Sequence, residues 1–443
     1  MAPEQVEAPT TARVVLDWAV EVLSGRSTED LSDRFDPDLL EQFPAELPDP
    51  KAVNALIAAH QGLFGEGEAV LQGVRPTPDE KGLIGTLHAP ETDASYDLIV
   101  AIDPETDLVN GFLITVAKDS AAIPADWPSI DRRLRSLPGE LSVLVARVAE
   151  GGELERVYAI TPEKRLAIGS AFKLWILGAL AELVEEGQAS WDEPLALNPD
   201  LKTMPIGVLA TEAGNKGLGR TASFPLSRFA NEMISVSDNP ATDHLLERVG
   251  RDRVIAFMSR VHGKPELNQP FLSTGQMFKL KRGAPEEVLR AYVEAETPDQ
   301  RQAVLDSDEY RDAVISIPLA MRWQKDGPIA IDRVEWFASA TDLARTMIEL
   351  RRMESRDGME PLAHALRIND GIHLDDTDWP SVSYKGGSEP GVLNLTFLAD
   401  AQNGETWFVS LGWNNPEAVL NEDTMIFIGQ AIFKRLAEGD LPE

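Results

Sequence analysis

The stretch Gly169-Ser170-Ala171-Phe172-Lys173 leads into a run of apolar residues that continues to Val184 and decides the fold. The run is apolar on nearly every side, so it predicts a helix buried in a domain core and ended by Gly187. Ser170 and Lys173 share one face at the positively polarised start of that helix. If burial lowers the pKa of Lys173, its amine can take the Ser170 proton. The alternative is a serine cap followed by a solvated lysine.

A second polar motif, Ser237-Asp238-Asn239-Pro240, lies between two predicted helices, 225–236 and 241–249. A serine and an asparagine on a loop between helices can point into a cleft. There Ser237 can relay a proton and Asn239 can hold a substrate amide. The alternative is a helix cap at Ser237 or Asp238.

The third motif is Tyr384-Lys385-Gly386-Gly387-Ser388, at the end of a predicted strand. Two further strands, 392–398 and 407–412, and a terminal helix, 425–437, follow it. A lysine at a strand edge supplies a fixed positive charge, and the glycines let a substrate approach the backbone and an oxyanion meet an N–H group. The alternative is a β-bulge with an exposed lysine.

Together the motifs resemble the Ser-x-x-Lys, Ser-Asp-Asn and Lys-Thr-Gly set of class A β-lactamases and penicillin-binding proteins. The resemblance covers residues 130 to 440 and implies an α/β fold of the α+β kind, with an antiparallel sheet flanked by helices. It implies a serine acyl-enzyme with these roles: Ser170 as nucleophile, Lys173 as general base, Ser237 as proton relay, Lys385 as carboxylate anchor, Asn239, Gly387 and Ser388 as substrate contacts, and the N–H groups of Ser170 and Ser388 as oxyanion hole.

The chain departs from the family pattern at two places that bear on the reaction. Gly386 follows the lysine where the family has Thr or Ser, so recognition of a β-lactam carboxylate should weaken. The family's Glu-Pro-Glu-Leu-Asn stretch, whose first glutamate activates the deacylating water, corresponds to Lys264-Pro265-Glu266-Leu267-Asn268. We consider Glu266 as a possible deacylation base, with a surface carboxylate as the alternative.

These departures favour a serine hydrolase that cleaves carboxylic esters through a Ser170 acyl-enzyme, with weak or no β-lactamase activity. Esters have better leaving groups than amides, and Lys173 or Ser237 can activate water. Within enzymes, the alternative is a true β-lactamase or a D-alanyl carboxypeptidase. Outside enzymes, it is a penicillin-binding or sensor protein that holds an acyl group without releasing it.

Residues 1–120 carry a net charge of −16, half of the total charge, and predict a separate small α+β domain. Two helices, 11–23 and 50–64, precede four strand-like segments: 69–74, 82–88, 96–102 and 108–116. This order resembles the fold of nuclear transport factor 2 and ketosteroid isomerase. We predict a non-catalytic accessory domain, a linker over 121–129 and a serine hydrolase domain over 130–443. This two-domain arrangement is similar to that of the esterase-like proteins of clavulanic acid gene clusters.

Residues 269–335 stand where the family has far fewer residues, so they predict an insertion next to the site. Such an insertion can act as a lid or as an acyl-group pocket. The alternative is a structural elaboration. The aromatic residues Phe278, Tyr292 and Trp323 fit either a small core of the insertion or a substrate wall.

Charge and composition exclude several functional classes. Of 443 residues, 73 are acidic and 41 basic, and the net charge of −32 repels phosphate backbones and anionic membranes. We therefore expect a small-molecule ester or β-lactam as substrate and no nucleic acid. The sequence contains no run of about 18 apolar residues, so it predicts no membrane insertion.

The sequence predicts no metal and no cofactor, because it contains no cysteine and no histidine or acidic spacing typical of metal ligands. The start of the chain shows no signal peptide. It predicts a cytoplasmic protein or, if a leader has been removed, a periplasmic or secreted one. The sequence does not predict the oligomeric state.

Overall fold

The computed structural model describes residues 10–40, 57, 69–77, 81–90, 94–117, 123–201, 203, 207–216, 218–219, 221–262, 264–315 and 327–442. The chain forms two compact units, Met1–Ile130 with Ile426–Ala431 and Asp131–Met425 with Ile432–Glu443. The predicted boundaries of the accessory domain, the linker and the hydrolase domain stay predictions. Among the described residues, no helix is both long and apolar enough to cross a bilayer.

The first unit contains an antiparallel meander of four strands in chain order: β1 (Val70–Pro76), β2 (Gly82–Ala89), β3 (Ala94–Ile102) and β4 (Val109–Val116). Its helices are α1 (Thr10–Leu23) and the short α2 (Pro37–Leu40), with a 3-10 turn at Ser32–Arg34. Helix α1 buries Leu16 in one cluster with Leu87 and Leu98 of the sheet. Helix 50–64 of the sequence prediction lies outside the described residues, apart from Ile57. The resemblance to nuclear transport factor 2 stays a prediction.

The second unit contains a five-stranded antiparallel sheet. Its strands are β5 (Glu140–Val148), β6 (Leu154–Ile160), β11 (Ser381–Glu389), β12 (Val392–Asp400) and β13 (Thr406–Asn414), in the order β11-β12-β13-β5-β6. Strand β11 is therefore an edge strand. Two short ribbons pair β7 (Leu166–Ala167) with β10 (Phe337–Ala338) and β8 (Pro194–Ala196) with β9 (Ser223–Pro225).

Helices flank this sheet, so the predicted fold class is confirmed. In chain order they are α3 (Trp127–Ser136), α4 (Lys173–Glu185), α5 (Val208–Asn215), α6 (Leu226–Ser235), α7 (Asn239–Val249), α8 (Arg251–His262), α9 (Thr274–Arg282), α10 (Glu286–Glu294), α11 (Pro298–Leu305), α12 (Asp308–Asp312), α13 (Ala340–Glu354), α14 (Glu360–Arg367) and α15 (Glu422–Ala437). Helix α13 contacts β5, β12 and β13, while Phe433 of α15 packs against Phe397 of β12.

Helix α4 lies at the centre of the second unit. Leu174, Trp175, Ile176 and Leu177 are all fully buried, and the helix packs against α6, α7, α8 and α13. A helix that is apolar on all sides has to be enclosed by other elements, which is the environment found here. The position of α4 brings its first residue, Lys173, into the interior of the domain.

The segment predicted as an insertion contributes to the same core. It contains helices α9 to α12, and Phe271, Met277 and Tyr292 join the buried cluster that includes Trp175. Phe278 packs against this cluster as well. Tyr292 and Phe278 therefore serve the main core, whereas Trp323 lies outside the described residues.

Candidate active site

Lys173 is fully buried and contacts three oxygen atoms. Its Nζ lies 2.6 Å from the Ser237 carbonyl, 3.0 Å from Ser237 Oγ and 2.7 Å from Asn239 Oδ1. Burial lowers the pKa of Lys173 well below its usual value, and the positive charge of Lys385 lowers it further. The interpretation of Lys173 as a solvated lysine is therefore wrong, and the amine is suited to accept a proton.

Ser170 lies in the 3-10 turn Gly169–Phe172 directly before α4, and its side chain is partly buried. The residue at the N-cap of α4 is Phe172, so the interpretation of Ser170 as the helix cap is wrong. Gly169 has a φ of 47°, a backbone conformation that favours glycine. This turn directs the backbone of Ser170 toward strand β11.

The backbones of the Ser170 turn and of β11 approach each other closely. A Cβ atom on Gly387 would lie 2.4 Å from the backbone nitrogen of Ser170, and one on Gly169 would lie 3.0 Å from that of Ser388. Both positions therefore need glycine. The approach places the backbone nitrogens of Ser170 and Ser388, the predicted oxyanion donors, in two segments that lie against each other.

In the loop before α7, one residue caps the helix and the residue before it contacts Lys173. Asp238 is the N-cap: its carboxylate accepts hydrogen bonds from Ala241 N and Val208 N, each at 2.6 Å. The interpretation as a helix cap therefore holds for Asp238. Ser237 instead has a positive φ of 60°, and both its carbonyl and its hydroxyl contact Lys173.

Lys385 reaches the same serine from the sheet. Its Nζ lies 3.0 Å from Ser237 Oγ and donates to the Gly386 carbonyl at 2.6 Å. Lys385 is 3% exposed, and burial lowers its pKa to about 7. The pairing of β11 with β12 is regular along its length, so the interpretation as a bulge with an exposed lysine is wrong.

The Ser237 hydroxyl therefore lies between two buried amines. A carbonyl oxygen and a carboxamide oxygen can only accept, so two N–H bonds of Lys173 are used by the Ser237 carbonyl and Asn239. In the third contact, Lys173 accepts a proton from Ser237 Oγ when it is neutral and donates one to Ser237 Oγ when it is an ammonium. Lys173, Ser237 and Lys385 form a hydrogen-bonded path along which a proton can move.

A family model described as the β-lactamase enzyme family matches residues 128–434. The chain belongs to this family. The predicted resemblance to β-lactamases and penicillin-binding proteins is thereby confirmed, whereas the roles of the individual motif residues stay predictions. No curated protein matches the chain.

Solved structures of similar proteins include several β-lactamases and the protein PBP-A. A β-lactamase from Sphaerobacter thermophilus DSM 20745 is 17% identical, with a TM-score of 0.48, over 71% of this chain and 98% of that chain. A β-lactamase from Chitinophaga pinensis DSM 2588 is 12% identical, with a TM-score of 0.47, over 70% and 98%. The protein PBP-A is 15% identical, with a TM-score of 0.43, over 70% and 95%.

Glu266, the deacylation base considered from the sequence, lies apart from this cluster. It is exposed in the 3-10 turn Pro265–Asn268, whereas Asn268 points inward and bonds the backbone of Phe337. Within the part of the chain that the structure describes, no hydrogen bond or ion pair joins Glu266 to Lys173. Its location is the one expected of a surface carboxylate, and the geometry gives its catalytic role no support.

Two other carboxylates lie within electrostatic range of Lys173, and sequence reasoning assigned neither of them to the site. Asp238 caps α7, and Asp243 accepts hydrogen bonds from Thr274 N and Gly275 N, both at 2.8 Å. Both therefore have backbone N–H groups as partners. The spacing of Asp243, four residues after Asn239 on the same helix face, is the signal that could have identified it.

Proposed function

We propose that this member of the β-lactamase family is a serine hydrolase that cleaves carboxylic esters through a Ser170 acyl-enzyme and hydrolyses β-lactams weakly or not at all. The observation that carries the proposal is the Ser237 hydroxyl held 3.0 Å from two buried lysines, beside the Ser170 turn. Among the described residues, Lys173 and Lys385 both lie within hydrogen-bond distance of the Ser237 hydroxyl, whereas the nearby Asp238 and Asp243 accept hydrogen bonds from backbone N–H groups.

Acylation follows from this arrangement. Neutral Lys173 takes the proton of Ser170 as Oγ attacks the ester carbonyl, and the N–H groups of Ser170 and Ser388 stabilise the oxyanion. The Ser237 hydroxyl gives a proton to the departing alkoxide and recovers one from the Lys173 ammonium. The acyl group remains on Ser170 and the alcohol leaves.

Deacylation supports an ester substrate over a β-lactam. After acylation Lys173 is neutral again and can take a proton from the water that attacks the acyl carbonyl. Collapse of the tetrahedral intermediate breaks its bond to Ser170 Oγ and releases the acid, and the Lys173 ammonium returns its proton to Ser170 Oγ. When the leaving group is a small alcohol, it diffuses away after acylation. Lys173 alone can then serve as the base in both acylation and deacylation. A β-lactam leaves its amine tethered to the acyl group, and with Glu266 on the surface we expect that adduct to persist.

The test uses p-nitrophenyl acetate, the chromogenic cephalosporin nitrocefin and intact-mass spectrometry over time. We expect wild type to turn over the ester and to hydrolyse nitrocefin slowly, with a lasting mass increase. We expect Ser170→Ala to show neither turnover nor adduct. Rapid nitrocefin turnover would overturn the proposal in favour of a β-lactamase.

Three further outcomes would indicate a different function or a different nucleophile. A lasting adduct with both reagents, without turnover, would indicate a penicillin-binding or sensor protein. Release of D-alanine from a D-alanyl-D-alanine peptide faster than ester turnover would indicate a carboxypeptidase. Ester turnover that persists in Ser170→Ala would show that Ser170 is not the nucleophile.

A further inference from the structure

The side chain of Tyr384 occupies the space beside Gly386, the residue after Lys385, which has no side chain of its own. A Cβ atom on Gly386 would lie 2.1 Å from the Tyr384 hydroxyl oxygen, and one on Gly371 would lie 2.3 Å from its Cζ. The ring also stacks on Phe397, with centroids 4.8 Å apart. Tyr384 is therefore held between two glycines, with its hydroxyl over the position that a residue-386 side chain would take.

This face of β11 carries a second hydroxyl. Side chains alternate along a strand, so Tyr384, Gly386 and Ser388 face one side, while Lys385 and Gly387 face the other. Ser388 is exposed and makes a side-chain hydrogen bond with Glu422, the first residue of α15. The face of β11 opposite to the Lys385 side chain, which we call the rim, thus presents a phenol and a hydroxyl that is paired with a carboxylate.

The charges at this rim are unfavourable for an anion. Burial raises the pKa of Tyr384, and the negative charges of Glu422 and Asp370 raise it further, so the phenol stays a neutral donor. Lys385, which would have to supply the positive charge, has a pKa of about 7 and is hydrogen-bonded to Ser237 and Gly386. Burial raises the pKa of Glu422, while the hydrogen bond from Ser388 opposes this shift. A substrate carboxylate would meet the carboxyl groups of Glu422 and Asp370 and a partly neutral lysine.

The position of Ser237 identifies which part of a substrate meets this rim. In the proposed reaction the Ser237 hydroxyl protonates the departing alkoxide, and the same oxygen lies 3.0 Å from Lys385 Nζ. Because β11 is an edge strand, a leaving group lying along its free edge at Lys385 and Gly386 can also meet the Tyr384 hydroxyl, which covers the residue-386 position on the other face.

We propose that Tyr384, together with Glu422, determines leaving-group specificity, so that the enzyme prefers esters of neutral or cationic alcohols to esters whose alcohol carries a carboxylate. This inference rests on the proposed esterase function. Tyr384 donates to a neutral acceptor on the leaving group, and Glu422 repels an anion and attracts a cation.

Three aryl acetates test the inference: 3-acetoxybenzoate, 3-acetoxybenzamide and 3-acetoxy-N,N,N-trimethylanilinium. All three give the same acetyl-enzyme, so differences in kcat/KM report acylation alone. Each kcat/KM is divided by the rate constant for alkaline hydrolysis of the same ester, which removes intrinsic reactivity. We expect wild type to prefer the amide and the cation over the benzoate by about tenfold or more.

Variants assign the preference to individual side chains. Glu422→Gln should raise the relative kcat/KM for the benzoate and lower it for the cation, each by about three- to tenfold. Tyr384→Phe keeps the ring but should lower the value for the amide by about three- to tenfold. Glu150→Gln removes a negative charge from the β5–β6 turn, at the opposite edge of the sheet, and should leave all three ratios unchanged.

The outcomes distinguish this inference from the proposed function. Equal normalised rates for the three acetates in wild type, or a preference for the benzoate, would overturn the inference while the esterase function stands. Ratios that shift equally in Glu422→Gln and Glu150→Gln would overturn the role of Glu422. Absence of any Ser170-dependent acetylation, followed by intact mass, would overturn the proposed function and this inference with it.

Discussion

Ser237 combines an unfavourable backbone conformation with the central position in the proton path. A positive φ in a residue other than glycine costs about 1–3 kcal/mol and is kept where surrounding contacts enforce it. Here the contacts are those of Ser237 O and Oγ with Lys173. The strained backbone conformation of Ser237 therefore places its carbonyl oxygen and its Oγ against the Lys173 amine.

Substitutions at Ser237 should separate stability from activity. Ser237→Gly relieves the backbone strain, so we expect a higher melting temperature together with a loss of about 10²-fold or more in kcat/KM for p-nitrophenyl acetate. Ser237→Ala loses the same hydroxyl but keeps the strain, so its melting temperature should lie below that of Ser237→Gly. Equal melting temperatures in the two variants would show that the backbone is not strained.

Lys385 should make stability depend on pH. Its pKa is about 7 in the folded chain and has the usual value near 10.5 when unfolded, so between these values the unfolded state binds more protons. Stability from this site is therefore lowest below pH 7 and rises toward pH 10. Lys385→Met should be more stable than wild type at pH 7, and this advantage should shrink by up to ~1.4 kcal/mol per pH unit on going to pH 9.

Chemical unfolding at several pH values measures this effect. Lys216→Met is the matched control, because Lys216 is exposed at the C-cap of α5 and its loss should give a difference from wild type that is the same at pH 7 and pH 9. A constant difference for Lys385→Met as well would contradict the lowered pKa of Lys385.

The contact between strand β11 and the Ser170 turn depends on a missing side chain. A Cβ atom on Gly387 would lie 2.2 Å from the Ile168 carbonyl oxygen and 2.4 Å from Ser170 N. Gly387→Ala should therefore push β11 away from the turn and lower the acylation rate by about 10²-fold or more, because oxyanion donors lose their geometry. The burst of p-nitrophenol measures this rate.

Gly214→Ala is the control for that substitution. Its added Cβ meets nothing within 4 Å, and helix α5 favours alanine over glycine, so we expect unchanged acylation and equal or higher stability. If Gly387→Ala acylated as fast as Gly214→Ala, close approach of β11 would not be needed for catalysis.

A buried ion cluster joins the segment 269–335 to the catalytic sheet. Lys281 of α9 contacts Glu389 at the end of β11 and lies 3.3 Å from Glu335, and all three side chains are at most 5% exposed. Burial and the neighbouring Glu335 raise the pKa of Glu389, and the contact with Lys281 opposes this shift. The cluster holds together parts of the second unit that are over 100 residues apart in sequence.

Lys281→Met should destabilise the second unit by about 3–5 kcal/mol, because two buried carboxyl groups lose their cation. The loss should be larger at pH 8 than at pH 5, since protonation neutralises the carboxyl groups. Thermal unfolding at both pH values measures it, and the triple substitution of Lys281→Met, Glu335→Gln and Glu389→Gln should recover part of the loss. An unchanged unfolding temperature in Lys281→Met would contradict this role of the cluster.

Secondary structure near the site follows closely from local pattern. The apolar run after Lys173, the strand segments predicted at β12 and β13 and the four strand segments of the first unit all lie within a few residues of the observed elements. Periodicity of apolar residues reports burial on one face, and this signal is local in the sequence. The motifs add the family membership that the family model confirms.

Long-range placement does not follow from these patterns. Glu266 matches a motif yet lies on the surface, and Tyr384 precedes Lys385 without a predicted role although its hydroxyl covers Gly386. Exposure and the rotamer of a side chain depend on residues far away in the chain, such as Gly371 and Phe397.

The sequence by itself determined the helices and strands, the family and the three polar motifs, because each of these depends on residues that are neighbours along the chain. Only the tertiary structure decided that Lys173, Ser237 and Lys385 share one hydrogen-bonded path and that carboxyl groups lie at the rim. Those properties depend on distances and burial among residues up to 212 positions apart, from Lys173 to Lys385. A buried charge acquires its pKa from that environment rather than from its sequence neighbours.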